Sequence, residues 1–171
     1  MQQTLGGRDC ILLDTNILVD YLAIRQPFYA DARKLMILGA IGEATLWVSA
    51  SQLNDVFYIV SEGGKPALGP TSQERLQQCR SFIHICAVTE QDVDAALDLG
   101  WDDLEDASVY ICAEKMGADF IMTRDRGFPA SGIPTLDAAG YFDYLRRERG
   151  LTYEEMTLGG DARNDRKLQS S

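Results

Sequence analysis

The sequence predicts an α/β fold, a three-layer α/β/α sandwich around a mainly parallel central sheet. Short apolar runs that suit buried strands alternate along the chain with longer stretches whose apolar residues recur at helical spacing. This alternation is typical of parallel strands joined by crossover helices that cover both faces of the sheet. Acidic residues follow two of the apolar runs, at the edge where open α/β sheets bind their ligands.

The first strand and the two helices after it are predicted from apolar spacing. Residues 10–13, CILL, form a continuous apolar run that suits a strand buried on both faces. Apolar residues at helical intervals then predict helices over residues 17–22 and 32–38. We expect Gly39 and Gly42 to stop the second helix, because glycine is a poor helix former and is common just past a helix end.

The middle of the chain is predicted to hold a strand, a helix, a loop and a further helix. Residues 46–48 predict the strand, and apolar positions at helical spacing predict a helix over residues 49–60. Glycine and proline mark residues 62–70 as a loop. Thr71 and Glu74 have the spacing of a capping box, which predicts the start of a fourth helix.

The remaining elements alternate in the same way. Apolar runs predict strands at residues 83–88, 120–123 and 135–136. Capping residues and helical spacing predict helices at residues 89–99, 101–116 and 137–145. We expect one domain over residues 9–149, followed by a polar, mobile tail over residues 150–171.

Composition is ordinary for a globular domain. The chain has 171 residues, of which 46% are hydrophobic and 25% charged, so it can form a core without a disulfide or zinc. The four cysteines lie singly in apolar segments, which predicts reduced core residues. The sequence contains neither a signal-peptide pattern nor an apolar stretch of membrane length, so we expect a cytoplasmic protein. A net charge of -10 argues against nucleic-acid binding, unless the acids converge on a site where cations reverse the local field.

Several acidic residues are candidates for a functional site. Asp14 directly follows residues 10–13, and Asp125 follows the strand at residues 120–123 after one arginine. Taken singly, each is better explained by helix capping or by a turn than by a functional role. The other candidates lie at or near predicted helix starts, where the helix dipole tolerates negative charge. They are Asp55, Asp102, Asp103, Glu105 and Asp106.

Together, four segments resemble the PIN-domain family, and the resemblance covers residues 11–145. The segments are ILLDTNILVDYL, VSASQLNDVFYIV, DLEDASVYICAEKMGADFIMTRD and GFPASGIPTLDAAGYF. The last two are the most specific, because they combine an acid-bearing helix, a strand ending in Thr-Arg-Asp, a Gly-Phe loop and a short Ile-Pro-Thr-Leu strand. The resemblance implies a PIN-like sandwich and a metal-dependent nuclease that cuts RNA.

The resemblance also implies which residues form the site. It assigns the four acids of the family to Asp14, Asp55, Asp106 and Asp125. Asp103 lies one helical turn before Asp106 and is expected to share its face as a fifth member. The family's helix acid is usually glutamate, so the shorter Asp55 departs from the pattern and puts metal distance or occupancy in question. Asn54 is the alternative ligand if the register is shifted by one residue.

Clustered carboxylates predict a hard divalent cation, Mg²⁺ or Mn²⁺, which takes oxygen ligands. Without a cation the like charges would repel, and at least one acid would tend to keep its proton. Such a cation lowers the pKa of a bound water and offsets charge on the leaving oxygen of a phosphodiester. We expect Asp14, Asp106 and Asp125 at the metal, the first two as principal ligands. Asp55 and Asp125 are expected to position metal or water, and Asp103 to assist.

Residues around the last acid are secondary candidates. Arg124 and Arg126 flank Asp125 and are candidates for holding the RNA backbone, because guanidinium groups pair bidentately with phosphate. Solvated surface arginines explain them equally well. Thr123 is placed to hydrogen-bond a carboxylate, although a polar strand end is the simpler explanation.

Two other functions compete with a nuclease. One is an inactive PIN-like module that acts through protein contacts, which acids at all four positions argue against. The other is a phosphatase-like or receiver-like protein, which needs a lysine or a nucleophile-elbow context that fits this chain poorly. PIN domains are often VapC-like toxins of toxin–antitoxin pairs, so the resemblance also implies a small inhibitory partner protein and a homodimer.

Overall fold

A computed structural model describes residues 8–153, which form five strands and seven helices. The strands are β1 (Asp9–Leu13), β2 (Ala44–Ser49), β3 (Ile83–Cys86), β4 (Phe120–Met122) and β5 (Thr135–Leu136). The helices are α1 (Thr15–Leu22), α2 (Tyr29–Ile41), α3 (Ala50–Val60), α4 (Gly69–Cys79), α5 (Glu90–Asp98), α6 (Leu104–Met116) and α7 (Ala138–Arg149). Most of the predicted tail, residues 154–171, lies outside the described residues.

The sheet is parallel throughout, with strand order β3-β2-β1-β4-β5, which confirms the predicted α/β/α fold. β1 is central, and its Leu12 lies opposite Trp47 of β2 and Ile121 of β4. The chain first adds strands on one side of β1 and then crosses to the other side to place β4. Open α/β sheets bind ligands beyond the carboxyl ends of their strands at such a reversal of strand order. In this fold that point lies between β1 and β4.

Helices cover both faces of the sheet and bury its apolar strands. On one face, Ile11 and Leu13 of β1 belong to a core cluster with residues of α1, α2, α3 and α7. On the other face, Leu12 and Ile121 pack in a second cluster with Val109 and Cys112 of α6. Because β1 is buried on both faces, its sequence is continuously apolar rather than alternating. The three layers hold the carboxyl end of β1 rigidly in the centre of the domain.

The second helix is longer than the sequence predicts. α2 continues through Gly39 and ends only at Gly42, which has a left-handed φ of 78°. The prediction that Gly39 helps to stop this helix is wrong, and the reason is close packing against β2. A Cβ atom at position 39 would lie 2.5 Å from Cδ1 of Leu46. Glycine at this position therefore lets the helix approach the sheet.

The start of the fourth helix also differs from the prediction. α4 begins at Gly69, with Leu68 as an N-cap that makes no side-chain hydrogen bond and a proline in the first turn. Thr71 and Glu74 therefore lie inside the helix, and the predicted capping box is wrong. Proline suits the first helical turn, where its missing N–H has no partner to lose.

The cysteines agree with the prediction of reduced core residues, whereas Tyr153, within the predicted mobile tail, packs against the domain. The four cysteines are free, three of them buried and Cys10 half-buried. Asp137 caps α7, and Gly150 ends it in a left-handed conformation. Just beyond, the Tyr153 ring packs against Phe142 with centroids 6.0 Å apart. No helix within residues 8–153 is long and apolar enough to cross a membrane.

Candidate active site

Asp14 is the buried centre of the candidate site. It follows β1 directly, caps α1 and has only 5% of its surface exposed. Its Oδ1 accepts a 2.7 Å bond from the Thr15 backbone N–H and a longer 3.4 Å bond from Gln52 Nε2. Its Oδ2 accepts bonds from Asn16 Nδ2 at 2.5 Å and from the Thr123 hydroxyl at 2.7 Å. The carboxylate is therefore held in one orientation by several donors.

The charge of Asp14 is not neutralised by a cationic side chain among its hydrogen-bond donors in residues 8–153, all of which are uncharged. Burial raises the pKa of Asp14, and the negative charge of Asp125 raises it further. The bonds from Thr123, Thr15 and Asn16 act in the opposite direction and favour the ionised form. A buried carboxylate in this setting attracts a cation from solution.

The loop after β4 brings Asp125 beside Asp14. Thr123 is buried, and its hydroxyl oxygen accepts a 2.9 Å bond from the Asp125 backbone N–H. Asp125 Oδ1 in turn accepts a 2.7 Å bond from the Gly127 N–H, which shapes the turn. The sequence offered two explanations of Thr123, a hydrogen bond to a carboxylate and a polar strand end, and the structure shows the hydrogen bond, which links Asp14 to the loop that carries Asp125.

The start of α6 supplies two further predicted site residues. Asp103 is the N-cap of α6, and its Oδ1 accepts bonds from the N–H groups of Glu105 at 2.7 Å and Asp106 at 3.3 Å. Partial burial raises the pKa of Asp106 to about 6, and the charges of Asp103, Asp14 and Asp125 contribute to the shift. Asp106 therefore lies within electrostatic reach of Asp14 and Asp125.

Glu105 is an acid of the site to which the sequence analysis gave no role. Its Oε1 accepts a 3.1 Å bond from the Thr15 hydroxyl, beside Asp14. Desolvation raises the pKa of Glu105, and the charges of Asp14, Asp55 and Asp103 raise it further. The only sequence signal for a role of Glu105 was its position next to Asp106 in the segment LEDAS. Helical spacing alone does not say which of two adjacent acids turns toward another element.

The α3 acid lies at the edge of the same cluster. Asp55 is exposed, and its charge raises the pKa of Glu105. Asn54, the alternative ligand, is also exposed on α3. Asp55 is thus within electrostatic reach of Glu105.

The two arginines near Asp125 have different surroundings. Arg124 donates from Nε and Nη2 to the carboxylate of Asp20, at 2.6 and 3.0 Å, and Asp20 is fully buried in α1. The Arg124 guanidinium also lies 4.0 Å from the centre of the Phe28 ring. The Arg124 guanidinium is therefore already bonded within the protein, whereas the Arg126 side chain is exposed. Of the two predicted phosphate-binding residues, Arg126 is the one left open to solvent.

The donor chemistry of the site fits a hard divalent cation. Carboxylate oxygens are the ligands that Mg²⁺ and Mn²⁺ prefer, and the buried negative charge of Asp14 favours a cation. In residues 8–153, no group of three or more His, Cys, Asp or Glu side chains is arranged to hold a metal ion. Mg²⁺ needs only one or two carboxylates, because water and substrate phosphate complete its coordination. The fit therefore rests on charge and donor type.

Solved structures of similar fold include three bacterial toxins or toxin complexes. VapC20 of Mycobacterium tuberculosis, described as a sarcin-ricin loop cleaving toxin, is 15% identical with a TM-score of 0.57 over 72% of this chain and 95% of that chain. A toxin–antitoxin complex from Klebsiella pneumoniae is 17% identical with a TM-score of 0.55, over 75% and 97% of the two chains. VapBC2 of Rickettsia felis, bound to a promoter DNA fragment, is 18% identical with a TM-score of 0.56, over 75% and 98%. At these identities the likeness shows the fold.

Family membership is established by sequence. Comparison with curated protein sequences gives no match. The sequence profile of the family described as PIN domain, however, matches residues 10–127, which is more than half of the chain. The matched region contains Asp14, Asp55, Asp106 and Asp125. The resemblance predicted from the sequence is confirmed, and the chain belongs to the PIN-domain family.

Proposed function

We propose that this chain is a divalent-metal-dependent ribonuclease that hydrolyses RNA phosphodiester bonds at its aspartate cluster. One observation carries the proposal. Asp14 is a buried carboxylate whose donors are uncharged, and it shares its surroundings with the negative charges of Asp106 and Asp125. Asp14 and Asp125 follow β1 and β4, the strands on either side of the reversal of strand order, where α/β proteins bind ligands. A cation bound there would offset all three charges.

The proposed roles divide between binding and positioning. Asp14, Asp106 and Asp125 would hold Mg²⁺ or Mn²⁺, and Asp55 would position metal or water. The cation supplies a water of lowered pKa and offsets charge on the leaving oxygen. Asp103 acts indirectly, because its carboxylate caps α6 and so fixes the backbone of Asp106.

The chain carries a net charge of -10, which repels RNA as a whole. Substrate binding therefore requires cationic side chains placed to contact the RNA phosphates. Arg126 is the proposed phosphate contact, since it is exposed one residue beyond Asp125. Arg124 is proposed to support the site from inside. Its backbone N–H donates a 3.0 Å bond to Asn16 Oδ1, and Asn16 in turn holds Asp14.

Cleavage of labelled single-stranded RNA tests the proposal, with single-stranded DNA of the same sequence as a second substrate. We expect the wild type to cut RNA with Mg²⁺ or Mn²⁺ and to stop when EDTA is added. Asp14→Asn and Asp106→Asn should each lower the rate by more than about 100-fold, since each removes a charge that binds the cation. Asp102→Asn, a matched change at an exposed acid of the same segment, should cut at the wild-type rate. Cleavage that survives both site substitutions would contradict the proposed site.

We also propose a small antitoxin-like partner protein and a homodimer. The description of one similar structure as a toxin–antitoxin complex, and of another as VapBC2, supports the partner. Light scattering of the purified chain measures its oligomeric state. Expression in bacteria, with and without a neighbouring small open reading frame, tests for an inhibitor: growth arrest that the small protein relieves is the expected result. Growth unaffected by the active chain alone would contradict the toxin role.

A further inference from the structure

Gln52 is a buried amide at the start of α3, with only 1% of its surface exposed. Its Oε1 accepts a 3.0 Å bond from the Ser49 backbone N–H, while its own backbone N–H donates to Ser49 Oγ at 3.3 Å. These two bonds form the capping box of α3. Because the amide oxygen is committed to the cap, the amide nitrogen must point the other way.

The Gln52 amide nitrogen points into the candidate site. Nε2 donates to Asp14 Oδ1 at 3.4 Å and to Thr15 Oγ1 at 3.3 Å. The Thr15 hydroxyl then donates its single proton to Glu105 Oε1 at 3.1 Å. In the series of hydrogen bonds from the Ser49 N–H through Gln52 and Thr15 to the Glu105 carboxylate, every donor faces an acceptor. The cap of α3 is thereby linked to Asp14 directly and to Glu105 through the Thr15 hydroxyl.

We propose that Gln52 is a positioning residue of the site, which orients Asp14 directly and orients Glu105 through the Thr15 hydroxyl. This inference rests on the proposed function, and it adds Glu105 to the carboxylates that act on the bound cation. Groups that orient metal-binding side chains typically account for about 10- to 100-fold in metal affinity or activity.

The first test separates positioning from helix capping. Isothermal titration with Mn²⁺ measures the Kd of wild type, Gln52→Leu and Ser49→Ala, and urea unfolding measures their stability. Both substitutions damage the α3 capping box, but only Gln52→Leu removes the contacts to Asp14 and Thr15. We expect both variants to unfold at lower urea than wild type. Only Gln52→Leu should raise the Mn²⁺ Kd, by about 10-fold or more.

The second test addresses the path through Thr15. Thr15→Val keeps the shape of the side chain and the backbone N–H that binds Asp14, but it removes the hydroxyl between Gln52 and Glu105. Thr15→Ser keeps the hydroxyl. We expect the valine variant to raise the Mn²⁺ Kd and the serine variant to restore it. Glu105→Gln should weaken Mn²⁺ binding because it removes the charge that the path positions, and adding Thr15→Val to it should have little further effect.

Wild-type Mn²⁺ affinity in folded Gln52→Leu and in Thr15→Val would overturn the inference. If Asp14→Asn then still abolishes RNA cleavage, the proposed function stands and only the positioning role falls. If the wild type neither binds Mn²⁺ nor cuts RNA, both fall together. Should Gln52→Leu fail to fold, the comparison of Thr15→Val with Thr15→Ser decides the question.

Discussion

The Thr123 hydroxyl donates a 2.7 Å hydrogen bond to Asp14 Oδ2 and so joins the carboxyl ends of β4 and β1. The same oxygen accepts bonds from the Asp125 N–H at 2.9 Å and from Asn16 Nδ2 at 3.2 Å. A hydroxyl has one proton and two lone pairs, so Thr123 uses its full bonding capacity. It thereby fixes the distance between two of the predicted metal-binding acids.

Replacement of Thr123 by valine should weaken both folding and activity. Valine keeps the shape but leaves the buried Asp14 with one donor fewer, which should lower the free energy of unfolding by about 1.5–3 kcal/mol. RNA cleavage should also fall, because Asp14 and Asp125 lose their common partner. Urea unfolding and the cleavage rate measure the two effects. Thr123→Ser keeps the hydroxyl and should stay near wild type. A valine variant with wild-type stability would mean that this bond contributes nothing.

The buried Arg124–Asp20 ion pair predicts a large stability effect away from the acids. Asp20 is fully buried, so Arg124→Ala would leave its charge unpaired and should cost about 3–5 kcal/mol in unfolding free energy. Asp20→Asn combined with Arg124→Ala should restore part of that loss, because the stranded charge is gone. The exposed pair of Arg146 and Asp143 is the control, where Arg146→Ala should cost at most about 1 kcal/mol. Equal costs in chemical denaturation would contradict the prediction.

Arg126 should behave in the opposite way to Arg124. Its side chain is exposed, so Arg126→Gln should leave the unfolding free energy unchanged. If it binds phosphate, the substitution should raise KM for RNA and reduce the dependence of log binding on log salt by about one unit. Steady-state kinetics at several salt concentrations measure both quantities. Unchanged KM and salt dependence would remove Arg126 from the substrate contacts.

The fold was predictable because its signals are local. Residues 10–13 are continuously apolar, and the structure buries them on both faces in the centre of the sheet. One failure has a tertiary cause and the other a local one. Gly39 stays helical because α2 packs closely on Leu46, and the sequence of a helix does not show what lies against it. Thr71 lost its predicted capping role because a proline one residue earlier starts the helix sooner.

The site was predictable only in part. Asp14 and Asp125 follow strands, and the order of strands brings them together without further information. The contacts made by Gln52 and Glu105 depend on how α3 and α6 are rotated against α1. Residues that contact Asp14 or Thr15 across an interface between helices form no recognisable motif in a single sequence. The Arg124 side chain likewise turns inward to Asp20, which adjacency to Asp125 does not indicate.

Lowering the pH should remove the contribution of Asp92 to folding stability. Hydrogen bonds from Lys115 and Thr89 lower the pKa of Asp92 from 3.8 to about 2. Because the folded pKa lies below the unfolded value, ionised Asp92 stabilises the fold at higher pH, and this is lost as the pH falls through that interval. Lys115→Met should therefore lower the urea midpoint near neutral pH, with a smaller difference from wild type near about pH 3. A difference that is the same at every pH would contradict this role, since the Lys115 bond to the Ala87 carbonyl does not titrate.

Adding metal should reverse which protein, Asp106→Asn or the wild type, is the more stable to heat. The pKa of Asp106 is raised from 3.8 to about 6, so ionising Asp106 opposes folding and the metal-free wild type loses stability as the pH rises across that interval. Above it, in EDTA, the neutral asparagine variant should melt at a higher temperature than wild type. Below the ordinary pKa of 3.8 the two should converge, because the wild-type carboxyl is then protonated in both the folded and the unfolded chain.

Saturating Mn²⁺ should reverse that order. Binding at about 100 times Kd stabilises a folded protein by about 2.7 kcal/mol, and the wild type should gain this while Asp106→Asn gains little. Asp102→Asn, which removes an exposed charge from the same segment, should follow the wild type in both conditions. Thermal melts with EDTA and with Mn²⁺ give all the comparisons. An asparagine variant that gains as much from Mn²⁺ as the wild type would show that Asp106 does not bind the ion.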